Sequence, residues 1–100
     1  MNEYILFMYD DVLDRQGADD ENLWAQYLAM LRASGQFDGG SAIGDGTLFK
    51  KNCASKSATR AVTGYLKIRA QNLLAAQRFL IGNPTFEAGG TVELRELPRN

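Results

Sequence analysis

Apolar residues crowd the start of the chain and then settle into two different periods. Residues 3–9, EYILFMY, are almost wholly apolar and rich in strand formers, which predicts a strand buried on both faces. The polar run DDVLDRQGADD reads as a loop. Leu23, Trp24, Tyr27, Leu28 and Leu31 then recur at helical spacing, predicting a helix capped by Asp19 or Asp20 that runs to about Ala33. Glu21 suits the dipole of its first turn, and Ser34-Gly35 ends it with a residue free to adopt positive φ.

Glycines at 35, 39, 40, 44 and 46 interrupt the pattern. A phosphate cradle would need Gly-Lys-Ser/Thr or G-x-G-x-x-G leading from a strand into a helix, and neither motif is present. The segment is read instead as a bend with a short irregular strand between Gly35 and Gly46, Asp45-Gly46 being a turn signal. LFKKNCASKSATR, residues 48–60, holds four bases and no acid. Without a helical face, and with only Phe49 for stacking, it reads as a solvated hairpin or loop, and nucleic acid is not an expected partner.

AVTGYLKIRA, residues 61–70, alternates: Leu66, Ile68 and Ala70 point one way, Tyr65, Lys67 and Arg69 the other. Asn72 opens a second helix with Leu73, Ala76, Phe79 and Leu80 as its inner stripe, and Gly82 and Asn83-Pro84 stop it. TVELREL, residues 91–97, alternates again, with Val92 and Leu94 opposed to Glu93 and Arg95, and Pro98 ends it. The order strand–helix–strand–(hairpin)–strand–helix–strand predicts one α+β domain over residues 1–100. Its expected form is the ferredoxin-like split βαβ, with an antiparallel sheet and both helices on one face. The bare face then calls for a second copy of the chain, with Ile5 and Phe7 at or near the interface.

Composition narrows the chemistry. The chain has no histidine and one cysteine, so a histidine-based triad, a Cys-His pair and the usual zinc ligand sets are unavailable within it, and no metal or cofactor is expected. The lone Cys53 suits a reducing cytoplasm. No apolar run is long enough to span a bilayer, and Glu3 stands where a secretory signal would be positive, so neither membrane insertion nor export is expected. Residues 1–38 hold eight acids and two bases, and residues 39–100 four acids and nine bases. The two halves are expected to meet on folding or dimerisation.

Three stretches, YILFMY, YLAMLRASGQFDGG and TGYLKIRAQNLLAAQRFLIGNPTFEAGGTVELRELP, together resemble the YCII-related proteins, which include the DGPF-domain proteins. The resemblance implies a dimeric α+β barrel in which two ferredoxin-like sheets pack face to face. The DGPF hairpin is absent, and the segment from Gly40 to Gly64 is shorter than usual for that group. Shorter YCII-type members carry a His-Leu in the first helix that is proposed to act in catalysis. Counting back from Ser34-Gly35 puts that histidine at Trp24, which transfers no proton, so this role does not carry over.

The candidate binding cleft is the polar strand face: Tyr65, Lys67 and Arg69 beside Glu93 and Arg95. Lys67, Arg69 and Arg95 suit a small anionic ligand, and Glu93 suits a base if buried. The competing expectation is that these charges pair with each other or with a mate subunit. Trp24 and Tyr27 are read as core, Tyr9-Asp10-Asp11 as loop solvation, and Cys53 amid Lys50, Lys51 and Lys56 as a thiol that electrophiles would find. With no histidine, the sequence favours a non-catalytic dimeric accessory or regulatory module. The alternative is a small-molecule-binding barrel or an isomerase- or lyase-like enzyme acting on a small anionic compound, aromatic or otherwise.

Overall fold

A computed structural model describes residues 1–58 and 61–99. Its strands are β1 (Asn2–Tyr9), β2 (Phe37–Ala42), β3 (Thr47–Leu48), β4 (Lys56–Ser57), β5 (Val62–Ala70) and β6 (Val92–Leu97). Its helices are α1 (Arg15–Ala18), α2 (Glu21–Ala33), α3 (Leu73–Gln77) and α4 (Pro84–Glu87). The main sheet has the order β2-β5-β1-β6 with every neighbouring pair antiparallel, which is the ferredoxin-like split βαβ expected from the element order. β3 and β4 form a separate two-stranded hairpin, and the expected basic segment extends past it to residues 59 and 60, which lie outside the described residues.

Alternation in β1 and β5 decides which face is core. Tyr4, Leu6 and Met8 of β1 and Leu66, Ile68 and Ala70 of β5 are buried beneath the helices. Tyr27 and Leu31 of α2 and Ala76 and Phe79 of the second helical segment complete that core, with Val92 and Leu94 packed against it. The other face carries Ile5, Phe7 and Tyr9, which are only half-buried within one chain, so β1 is not closed on both sides. The smallest principal extent is 19 Å, about the thickness of one helix layer on one sheet.

Asp20 is the cap of α2, its carboxylate accepting from the backbone N–H of Asn22 at 2.8 Å and Leu23 at 3.2 Å. The second helical segment is shorter than its pattern suggested. α3 ends at Gln77, a 3₁₀ turn covers Arg78–Leu80, and Leu73, placed on the inner stripe, is half exposed. Leu23 of α2 is likewise exposed. Two short helices fall where loops were expected. Asp14 caps α1 through the Gly17 N–H at 3.1 Å, and Asn83 caps α4 through the Phe86 N–H at 3.1 Å, with Pro84 in the first turn. Among the described residues no helix is long and apolar enough to cross a membrane.

Candidate functional site

A cleft of about 520 Å³ lies between α2 and the β2–β5 half of the sheet. Its existence traces to glycine. β2 approaches β5 so closely at Gly40 that a Cβ there would sit 2.3 Å from the Tyr65 carbonyl oxygen and 2.8 Å from Leu66 Cδ2. The register slips between Phe37 and Gly40, and Gly39 in that bulge has φ +97°. Gly64 of β5 stands opposite Ala42 of β2 and Met8 of β1. Gly39, Gly40 and Gly64 all line the cleft, so backbone forms that part of its floor. The glycine-rich run does bend the chain, as its pattern indicated, and the bend hollows the cleft.

The roof is one stripe of α2: Trp24, Leu28 and Arg32, at i, i+4 and i+8. The Trp24 indole N–H donates to the Ala18 carbonyl at 2.6 Å, and its ring meets Tyr27 edge-on at 6.0 Å between centroids and 76° between planes. Trp24 is thus fixed on the core side while lining the cleft. Tyr27 is core, as expected. Its hydroxyl donates to the Phe79 carbonyl at 2.6 Å, and burial raises its phenol above the ordinary 10.0 despite the nearby Asn83 amide. Asn83 is fully buried, and its Nδ2 stays outside hydrogen-bonding geometry with that phenol.

Among the described residues, three charged side chains line the cleft. Arg15 pairs with Asp10 and lies 3.9 Å from Asp19, itself a lining residue, so its charge is balanced. Arg32 has no carboxylate within ion-pair distance among the described residues, and its guanidinium carbon sits 6.0 Å above the Phe37 ring centre. Phe37 also lines the cleft. The acids after β1 are structural rather than solvating. Asp11 accepts from the Thr91 hydroxyl at 2.6 Å and the Thr91 N–H at 2.7 Å, and these bonds, the hydroxyl foremost, hold its carboxyl below the ordinary 3.8. No group of three or more metal-ligating side chains occurs among the described residues.

The five sequence-predicted site residues sit elsewhere, apart from one. Tyr65, Lys67 and Arg69 share the bare sheet face with Glu93 and Arg95, brought together through β1: Phe7 lies between Tyr65 and Glu93, and Ile5 between Lys67 and Arg95. Only Tyr65 borders the cleft. Arg69 donates from Nε to both Asp38 oxygens at 3.0 Å and from Nη2 to the Gly35 carbonyl at 2.6 Å, tying β5 to β2. Arg95 pairs with Glu93, which raises the guanidinium still further, and Glu93 also accepts from the Tyr9 hydroxyl. Tyr9 itself borders the cleft, so this pair links the strand face to the cleft rim. Sequence reasoning missed Arg32 and Phe37. The signal was present in the i, i+4, i+8 stripe of α2, which ends on an arginine where an inner face would continue apolar.

No family model matches the chain, and no curated protein sequence matches it. Among solved structures it is similar to 5-chloro-2-hydroxyhydroquinone dehydrochlorinase (TftG) from Burkholderia phenoliruptrix AC1100, in complex with 2,5-dihydroxybenzoquinone. The two are 14% identical with a TM-score of 0.60, over 98% of this chain and 95% of that one. At that identity the likeness establishes a shared α+β fold.

Proposed function

We propose that this chain is a YCII-related, homodimeric α+β barrel protein of the cytoplasm that binds a small, anionic, aromatic molecule in the cleft beneath α2. The observation that carries this reading is the cleft itself. Its volume falls within the range of small-ligand pockets, about 300–1,000 Å³, and its walls combine aromatic and aliphatic surface with charged and hydroxyl side chains such as Arg32, Ser41 and Thr63. The fold shared with an enzyme solved around a hydroxylated quinone lends support to a flat, hydroxylated ring as the occupant. Trp24 stands where the resembling proteins place a histidine, so the cleft holds its ligand without imidazole acid–base chemistry.

Dimerisation belongs to the same reading. The bare sheet face presents Ile5, Phe7 and Tyr65 flanked by Lys67, Glu93 and Arg95, an apolar centre with a charged rim suited to a second copy. The strand-face charges then serve the mate, and the cleft serves the ligand.

Isothermal titration of the full chain with 2,5-dihydroxybenzoquinone and catechol tests the reading. Ala42 is exposed and shares the helix-facing side of the sheet with its partner Gly64, so Ala42→Trp fills the cleft without entering the core. Saturable binding to the wild type, lost in Ala42→Trp with an unchanged circular-dichroism spectrum, is expected. Absence of binding by both compounds overturns the proposal, as does equal binding to the filled variant.

A further inference from the structure

Resting on the cleft reading, we infer that Arg32 is the residue that selects an anionic ring substituent, holding a carboxylate or phenolate at the C-terminal end of α2 while the ring lies against Phe37.

Three observations converge on Arg32. It lines the cleft, its guanidinium is poised over the Phe37 ring at 6.0 Å, and no carboxylate among the described residues lies within ion-pair distance of it. Stacking on Phe37 restricts a side chain that would otherwise sample many rotamers, leaving its planar fork presented for a two-oxygen anion. A flat ring slotted beside Phe37 brings such an anion to the guanidinium edge.

The other charges at the site do not cancel this field. Arg15 is held by Asp10 and faces Asp19. Asp19 would repel an anion, but it precedes α2, and the helix rises about 16 Å between Glu21 and Arg32. That exceeds a screening length of about 8 Å at physiological salt, and Arg15 beside Asp19 offsets its charge further. The negative end of the α2 dipole also lies near Arg32. It amounts to roughly half an elementary charge and is outweighed by the full charge of the guanidinium.

The test uses 4-hydroxybenzoate and its neutral isostere 4-hydroxybenzamide, titrated into the wild type, Arg32→Met, Arg32→Lys and Arg78→Met, the last at an exposed arginine outside the cleft lining. The wild type is expected to prefer the carboxylate by about tenfold, the worth of a hydrogen bond to a charged group. Arg32→Met loses the preference while retaining the amide, Arg32→Lys regains part of it, and Arg78→Met keeps it. Arg32 is exposed, and a matching circular-dichroism spectrum certifies each variant as folded. Equal affinity of the wild type for both compounds overturns the inference and leaves the cleft reading standing, as does a preference that survives Arg32→Met. If neither compound binds, and 2,5-dihydroxybenzoquinone does not bind either, the cleft reading falls and the inference falls with it.

Discussion

Replacing Gly40 with alanine adds one methyl group to the floor of the cleft, and the geometry there fixes what it costs. The new Cβ would stand 2.3 Å from the Tyr65 carbonyl oxygen, 2.8 Å from Leu66 Cδ2 and 3.1 Å from Leu66 Cα. Two of those atoms belong to the backbone of β5, which is paired on its other side with β1 and cannot yield. Relief must come from β2, an edge strand, moving away and loosening its pairing at Leu66, Tyr65 and Gly64. Overpacking of this kind costs about 1–3 kcal/mol, and the backbone clash places Gly40→Ala in the upper half of that range. At roughly 4–8 °C per kcal/mol for a domain of this size, the melting temperature should fall by about 10–20 °C.

Two neighbouring glycines separate steric from conformational cost. Gly39 has open space around its Cβ direction but φ +97°, so Gly39→Ala carries backbone strain of about 1–2 kcal/mol and no clash. Gly44 has neither a neighbour within 4 Å nor a positive φ, and Gly44→Ala should lie within about 0.5 kcal/mol of wild type. Thermal melts followed by circular dichroism should therefore rank the variants Gly40, Gly39, Gly44 in decreasing damage. A Gly40→Ala melt matching that of Gly44→Ala would refute the close approach of β2 to β5, and with it the account of why the cleft is hollow.

Three further outcomes follow from particular contacts. Tyr27→Phe strands the buried Phe79 carbonyl and should cost about 1–2 kcal/mol in urea denaturation. Because the folded-state pKa of Tyr27 is raised, its stabilising contribution is complete below about pH 10 and lost as pH climbs through the folded value, so alkaline unfolding of the wild type should be steeper than that of Tyr27→Phe. Asp11 is the opposite case: its depressed pKa contributes stability above about pH 4 that disappears as pH falls through the folded value, and Thr91→Val should weaken that acid dependence in pH-dependent melts. Under the proposed dimer, light scattering should give a mass near two chains for the wild type and one for Phe7→Lys; a wild-type monomer at micromolar concentration would sink the sheet-face interface.

The fold was legible because it is written in alternation. Leu66 and Ile68 against Tyr65 and Lys67, and Val92 and Leu94 against Glu93 and Arg95, each declare two faces, and the largely apolar β1 takes its place between them, its two faces separated only by the fold. The short helices were not legible. α1 and α4 have four residues each, too few for a period, and are held by single side-chain caps, Asp14 and Asn83, whose role depends on where the chain already is. Leu73 failed as a core residue at the first position of α3, where it is half exposed although Ala76, one turn on, is fully buried.

The candidate site was less legible than the fold. Counting bases on alternating strands found positive charge suited to an anion, but pattern alone could not see that Arg69 is occupied by Asp38 and the Gly35 carbonyl, or that Arg95 is occupied by Glu93. A charge serves a ligand only where the fold leaves it without a partner and beside an open volume. Under the proposal both conditions meet at Arg32, and Gly39, Gly40 and Gly64 line the same volume. The cleft is a property of β2 and β5 together, since its floor draws on both strands. The glycines match no phosphate-binding motif, and a hollow shared by two strands that meet only in the fold leaves no motif in the sequence.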